Sequence, residues 1–411
     1  MKEIYLPRTL EKVIRRATDS FKVIMVSGMR QTGKSTLLRH LAEEEGSIRR
    51  YVTLDSQRML DFAKGSPGDF FSFVTPKSTV DEIQLAPGLF RSLKEKVDKT
   101  PERGQYWLSG SQRLELMAGV TDALPGRLVP LELMPLSIYE REGRGLEQEP
   151  WLPALPPAGR LTPRTPEDAW EIIFEGGWPG SLGLGAEDRE RYFEALRQTY
   201  LARDVSALSR VDRVDAFRRF LTALAARTGQ ELRLQPLAQA AGVSVPTVNR
   251  WLSIARSSGV IWYLRPFSAN IGKQLVKSPK VYFSDTGLAA SLLGIRSPEE
   301  LSRHASAGSF FETFAVNEVL KGWVHNGKVP DFFFYRDNRG MEIDLLIRKS
   351  GLLYPVEVKA KSHPDSHDAK WIKAFREALP GVAADTAAIL SLTDEPYAVG
   401  PGIVVQNVWS I

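Results

Sequence analysis

A chain of 411 residues, 43% apolar and 25% charged, is too long for one ordinary core and divides into two or three units. The absence of cysteine excludes disulfides, thiolate zinc sites and thiol catalysis, and it suits a reducing, cytoplasmic setting. The net charge of +5, from 54 basic and 49 acidic residues, is a mild excess compatible with a polyanion partner, and no stretch of eighteen apolar residues calls for a membrane.

In chain order, the first strong signal is the apolar run Val23–Val26, followed by Gly28-Met29-Arg30-Gln31-Thr32-Gly33-Lys34-Ser35-Thr36 and an amphipathic helix. Strand, Gly-rich loop and helix are the context that a phosphate-binding loop requires. Glycines let successive N–H groups turn toward phosphate oxygens, and the helix adds its positive N-terminal end. Lys34 is then placed for the β/γ-phosphates and Ser35 for Mg2+, which makes ATP and Mg2+ the expected cofactors.

Tyr51–Leu54 reads as a second strand, and Ser78 to Gln84 holds an acidic pair at the end of a third. Asp81 suits the Mg2+ water shell and Glu82 the attacking water, although such a pair can also be merely solvated. The strand around Tyr106–Leu108 ends in small polar residues, among them Ser111, a candidate sensor of the γ-phosphate. These alternating strands and helices predict an α/β core with a parallel sheet over residues 1–142.

Residues 143–186 are proline-rich up to Pro166 and read as a linker or extension. Residues 187–295 read as a helical unit containing a winged helix-turn-helix. Leu237 to Leu252 has the small residues and the Ser244-x-Pro246 start that suit two helices crossing at a tight turn, and Gly259 to Leu264 suits a wing. The second helix then exposes Thr247, Asn249 and Arg250 as candidate DNA contacts, with Lys273, Lys277 and Lys280 following as candidate phosphate contacts. Winged helices also bind proteins, and three lysines in a loop are commonly a solvated edge.

Residues 296–411 read as a second α/β domain. A helix near Phe310–Lys321 precedes strands at Phe332–Tyr335, Ile343–Ile347 and Tyr354–Val358. Strand alternation puts Glu342 and Asp344 on one face, and Glu357 and Lys359 on one face of the next strand, with a hairpin through Lys349–Gly351 to bring them together. Such carboxylates can hold Mg2+ while a lysine activates water, or they can form cross-strand ion pairs. The pattern resembles the restriction-endonuclease-type fold, which implies Asp344 and Glu357 as metal ligands with Lys359 and, on the preceding helix, Glu312. The proline often found before the aspartate is absent, Ile343 standing there.

The order GMRQTGKST, VDEIQ, LSGSQ, LPGRL, GGWPG, YLARDV and a final EVK resembles prokaryotic AAA-superfamily ATPases with a C-terminal domain long described as of unknown function. The resemblance implies a homo-oligomer, with a hexameric ring as one form. It also implies a neighbour's arginine at the γ-phosphate, for which Arg127 in LPGRL and Arg203 in YLARDV are the candidates. The first functional expectation is a DNA-associated ATPase, working as a motor or as an ATP-gated processing protein. The alternatives are an ATP-controlled oligomeric switch that binds a protein partner and a metal-dependent nuclease.

Overall fold

The computed structural model describes residues 5–44, 49–111, 124–154, 164–200, 214–268, 278–338 and 340–411, with the side chains of 199 and 200 left aside. Among the described residues no helix is long and apolar enough to cross a membrane. The chain folds as two compact units.

The first unit comprises Met1–Glu149 with two later segments, Ser257–Gly259 and Val324–Lys328. Its sheet contains β1 (Val23–Ser27), β2 (Arg50–Thr53), β3 (Ser78–Asp81), β4 (Tyr106–Gly110) and β5 (Leu128–Glu132), in the order β2-β3-β4-β1-β5 with every neighbouring pair parallel. Period-two alternation divides each central strand between two cores. Val23, Met25, Tyr106 and Leu108 join Phe70, Phe71 and Leu93 on one side, while Ile24, Val26 and Trp107 join Leu10, Ile14, Leu37 and Leu41 on the other. Burial on both faces is what a parallel sheet demands of its strands. β3 forms despite Ser78 and Thr79 because it lies between two paired neighbours, and Ser78 Oγ returns a hydrogen bond to the Thr75 carbonyl at 2.7 Å.

The second unit comprises Pro150–Arg256, Val260–Trp323 and Val329–Ile411. The expected extension at 143–186 is more structured than its prolines suggest, since Pro166–Glu175 is a helix. Pro166 sits in the first turn, where its missing N–H removes no bond, and Thr165 with Asp168 forms a capping box. Further on, helix Val214–Ala225 packs Phe217 and Phe220 against Trp251 of helix Val245–Ser257. That helix follows Leu234–Ala241 through a turn at Gly242, whose φ of 70° a side chain would strain.

Around these helices runs one nine-stranded sheet. β6 (Gln230–Glu231), β7 (Ile261–Pro266) and β8 (Lys280–Phe283) are antiparallel, in the order β7-β8-β6. β9 (Phe332–Arg336), β10 (Glu342–Lys349), β11 (Leu352–Val358), β12 (Ala387–Ser391), β13 (Tyr397–Gly400) and β14 (Ile403–Asn407) complete the order β13-β14-β12-β11-β10-β9-β7-β8-β6. The sequence separates residues 187–295 from 296–411, but here their strands share a sheet. β7 runs on past its hairpin to pair in parallel with β9 at Arg265–Phe333 and Pro266–Phe334, and Phe267 N donates to the Phe334 carbonyl at 2.6 Å.

Candidate functional site

The loop between β1 and helix Lys34–Glu44 is held in a tight path by residues with positive φ: Gly28 at 150°, Gln31 at 59° and Gly33 at 92°. At Gly28 a Cβ would fall 2.1 Å from the Leu133 carbonyl oxygen, so only glycine lets the chain pass between β1 and the segment after β5. Inside the loop, Lys34 Nζ donates to the Met29 carbonyl at 2.6 Å and Thr32 Oγ1 donates to the same oxygen at 2.9 Å. Lys34 is buried, whereas Gln31 and Thr36 are exposed.

Asp81 closes β3 beside this loop. Its Oδ2 accepts from Ser35 Oγ at 2.8 Å and from Tyr51, and its Oδ1 accepts from Ser109. Burial, then the bond to Asp81, pushes the Tyr51 phenol above its ordinary range, so it stays a donor. An alcohol and a carboxylate in contact at the mouth of the loop are hard oxygen donors of the kind Mg2+ takes. The residues therefore fit that ion.

Glu82 follows in a left-handed conformation, φ 56° and ψ 41°, which a non-glycine residue rarely adopts. The twist turns its carboxylate toward β4. Gln84 Nε2 donates to Glu82 Oε2 and to Ser111 Oγ, and Ser111 Oγ lies 3.4 Å from the same Glu82 oxygen. The acidic pair and Ser111 thus meet at the carboxyl edge of the parallel sheet, where open α/β sheets bind ligands.

Behind the loop lies a buried network that the sequence did not reveal. Arg8 donates through Nη1 to the Thr32 carbonyl at 2.7 Å and through Nη2 to the Met134 carbonyl at 2.8 Å, and its Nε lies 3.1 Å from Glu140 Oε1. Glu140 also caps its own helix with Ser137 and approaches His325 Nδ1 at 3.1 Å, while Met134 N donates to His325 Nε2 at 3.0 Å. Burial pushes the Glu140 carboxyl up, but Arg8 and His325 outweigh it and hold the group well below the usual range. The Ser137-x-x-Glu140 spacing is a capping-box signature and could have pointed to Glu140.

Of the arginine candidates, Arg127 Nη2 pairs with Asp98 Oδ2 at 3.0 Å within its own unit, and Arg203 lies outside the described residues. On helix Val245–Ser257, Asn249 and Arg250 are exposed and Thr247 is half-buried. Lys273 and Lys277 lie outside the described residues.

Lys280 is a correction. Far from a solvated phosphate contact, it is buried at the head of β8, its Nζ 2.8 Å from Glu342 Oε1, 3.0 Å from Glu312 Oε1 and 3.7 Å from Asp344 Oδ1. Its backbone is paired on both sides, to Glu231 and to Leu264. Tyr282, two residues on and on the same face, donates to Glu312 Oε1 at 2.6 Å.

The hairpin expected through Lys349–Gly351 does form, closed by Ser350 at φ 52° and Gly351 at 83°. Its register places Leu345 opposite Val356, one residue beyond Asp344 on one strand and one before Glu357 on the other. Asp344 Oδ2 accepts from Val358 N at 2.9 Å, and Lys359 Nζ donates to Glu357 Oε2 at 2.7 Å. Among the described residues only Glu11, His40 and Glu44 offer three ligand atoms within 4.8 Å of one another, and there Glu11 already accepts from Tyr5 and Arg8 while Glu44 pairs with Arg15. Each carboxylate of the C-terminal set is instead engaged by a lysine, a tyrosine or a backbone amide of the chain.

A phosphate-binding loop between strand and helix, with a carboxylate closing the next-but-one strand of a parallel sheet, defines a P-loop nucleotide-binding domain of the ATPase class. Residues 20–142 match the AAA domain family, and residues 166–299 and 307–411 match two domains of unknown function, DUF8612 and DUF4143. An uncharacterised protein of Mycobacterium tuberculosis is 30% identical over 353 residues, which is 85% of this chain and 73% of the relative, and an uncharacterised Mycobacterium bovis protein matches with the same figures. The chain belongs to the family of these AAA-domain proteins. Among solved structures, Thermotoga maritima RuvB overlaps with a TM-score of 0.31 at 16% identity over 62% of this chain and 85% of that one. Cdc6p from Pyrobaculum aerophilum overlaps with 0.25 at 11% over 72% and 96%, and both overlaps are too loose to extend the assignment.

Proposed function

We propose that the chain binds and hydrolyses ATP at the loop Gly28–Thr36 and that it works on DNA as a homo-oligomer. The observation that carries the hydrolytic half is the contact between Ser35 Oγ and Asp81 Oδ2, with the twisted Glu82 beside it. In this reading Lys34 exchanges the Met29 carbonyl for β- and γ-phosphate oxygens, and the loop N–H groups and helix end hold the rest of the triphosphate. Mg2+, held by Ser35 with Asp81 on its water shell, neutralises phosphate charge when bound. Glu82 orients and deprotonates the attacking water, and Ser111, already tied to Glu82 through Gln84, reports the γ-phosphate.

The DNA half rests on the paired helices Leu234–Ala241 and Val245–Ser257 followed by the β7–β8 hairpin, an order that suits a winged helix-turn-helix. Asn249 and Arg250 on its outer side are the proposed groove contacts. An arginine from a neighbouring copy would complete the site; for Arg127 that requires release from Asp98.

ATP turnover measured without DNA and with single-stranded, duplex and branched DNA, at two salt concentrations, tests the combination. DNA-stimulated turnover that falls as salt rises is expected. Turnover indifferent to DNA would replace the DNA role by a nucleotide-controlled switch.

A further inference from the structure

We infer that Lys280 is the resident cation of the C-terminal carboxylate cluster, and that its ammonium closes the cluster to a divalent metal ion. Four carboxyl groups, Glu312, Glu342, Asp344 and Glu357, stand around two ammonium groups, Lys280 and Lys359. Lys280 contributes from outside the hairpin that carries Asp344 and Glu357. It comes from β8, paired to β7 and β6, and its side chain is only 3% exposed. Three of the four carboxyls lie around that one nitrogen.

Other groups of the chain also reach these carboxyls. Tyr282 reaches Glu312 Oε1, Val358 N reaches Asp344 Oδ2 and Lys359 reaches Glu357 Oε2. Glu357 Oε1 is buried and takes no hydrogen bond from any described residue. A divalent ion of the Mg2+ kind takes one or two carboxylates and fills the rest of its octahedron with water. Here it would have to sit against the buried Lys280 ammonium, which already lies within 4 Å of three of the carboxyls. Lys359, the residue that would activate water, is spent on Glu357. The second unit therefore keeps the outline of a cutting site while holding its charges together internally, which suits a platform that binds without hydrolysing a phosphodiester.

Mn2+ titration of the nucleotide-free full chain, followed by electron paramagnetic resonance, tests this without involving ATP, so its failure would leave the ATPase reading intact. Wild type, Asp344→Asn and Glu357→Gln are expected to bind Mn2+ alike. Lys280→Met is expected to gain about one tighter Mn2+ per chain, lost again when Asp344→Asn is added. A wild-type Mn2+ site that Asp344→Asn or Glu357→Gln abolishes would overturn the inference, as would a folded Lys280→Met that gains nothing. Should Lys280→Met fail to fold, the comparison of wild type with the two carboxylate variants decides alone.

Discussion

Arg8 touches the Thr32 carbonyl, the Met134 carbonyl and the Glu140 carboxylate from one guanidinium, so a single residue fixes the back of the phosphate loop. Arg8→Ala leaves Glu140 and two carbonyls without that partner in a dry interior, and breaking a buried pair of this kind costs about 3–5 kcal/mol. Urea denaturation should register the loss, and an unchanged midpoint would remove Arg8 from this role. Glu140 gives the pH dependence its sign. Its carboxyl is held below the ordinary value of 4.5 in the folded chain, so its contribution is fully present above that pH and is lost as pH falls beneath it. Wild type and Glu140→Gln should therefore differ most in stability at neutral pH and converge in acid.

At the level of elements, Gly28→Ala tests the close approach of the loop to Leu133. The added methyl would overlap a backbone oxygen, so nucleotide affinity should fall even though no charged group has changed. On helix Val245–Ser257, Arg250→Ala should weaken DNA binding by about tenfold or more if the residue reaches a base edge, and equal binding curves across salt would remove it from the interface. The phosphate loop, β1 and the Asp81-Glu82 pair were legible in the sequence because each is a short local pattern whose spacing carries its own geometry. The β10–β11 hairpin was legible for the same reason. Lys280 was not: its neighbours Glu312 and Asp344 come from a helix and a strand far along the chain, and three spaced lysines look alike whether they face solvent or a carboxylate. Likewise the junction of β7 with β9 rests on two residue pairs, Arg265–Phe333 and Pro266–Phe334, too few to leave a periodic trace.

In the whole molecule, an AAA domain at residues 20–142 is followed by a second unit in which one sheet takes in β6, β7 and β8 together with the C-terminal strands. If copies assemble around nucleotide, sedimentation of Glu82→Gln with ATP should show a larger species than the nucleotide-free chain, and a single unchanged boundary would argue against assembly. Everything depends on the loop and the acidic pair acting as one site. The most direct test is to measure ATP binding and steady-state ATP hydrolysis side by side for wild type, Lys34→Ala and Glu82→Gln. Lys34→Ala should lose affinity for ATP, while Glu82→Gln should bind ATP as wild type does and hydrolyse it about a hundredfold or more slowly. Hydrolysis by both variants at the wild-type rate would contradict the account.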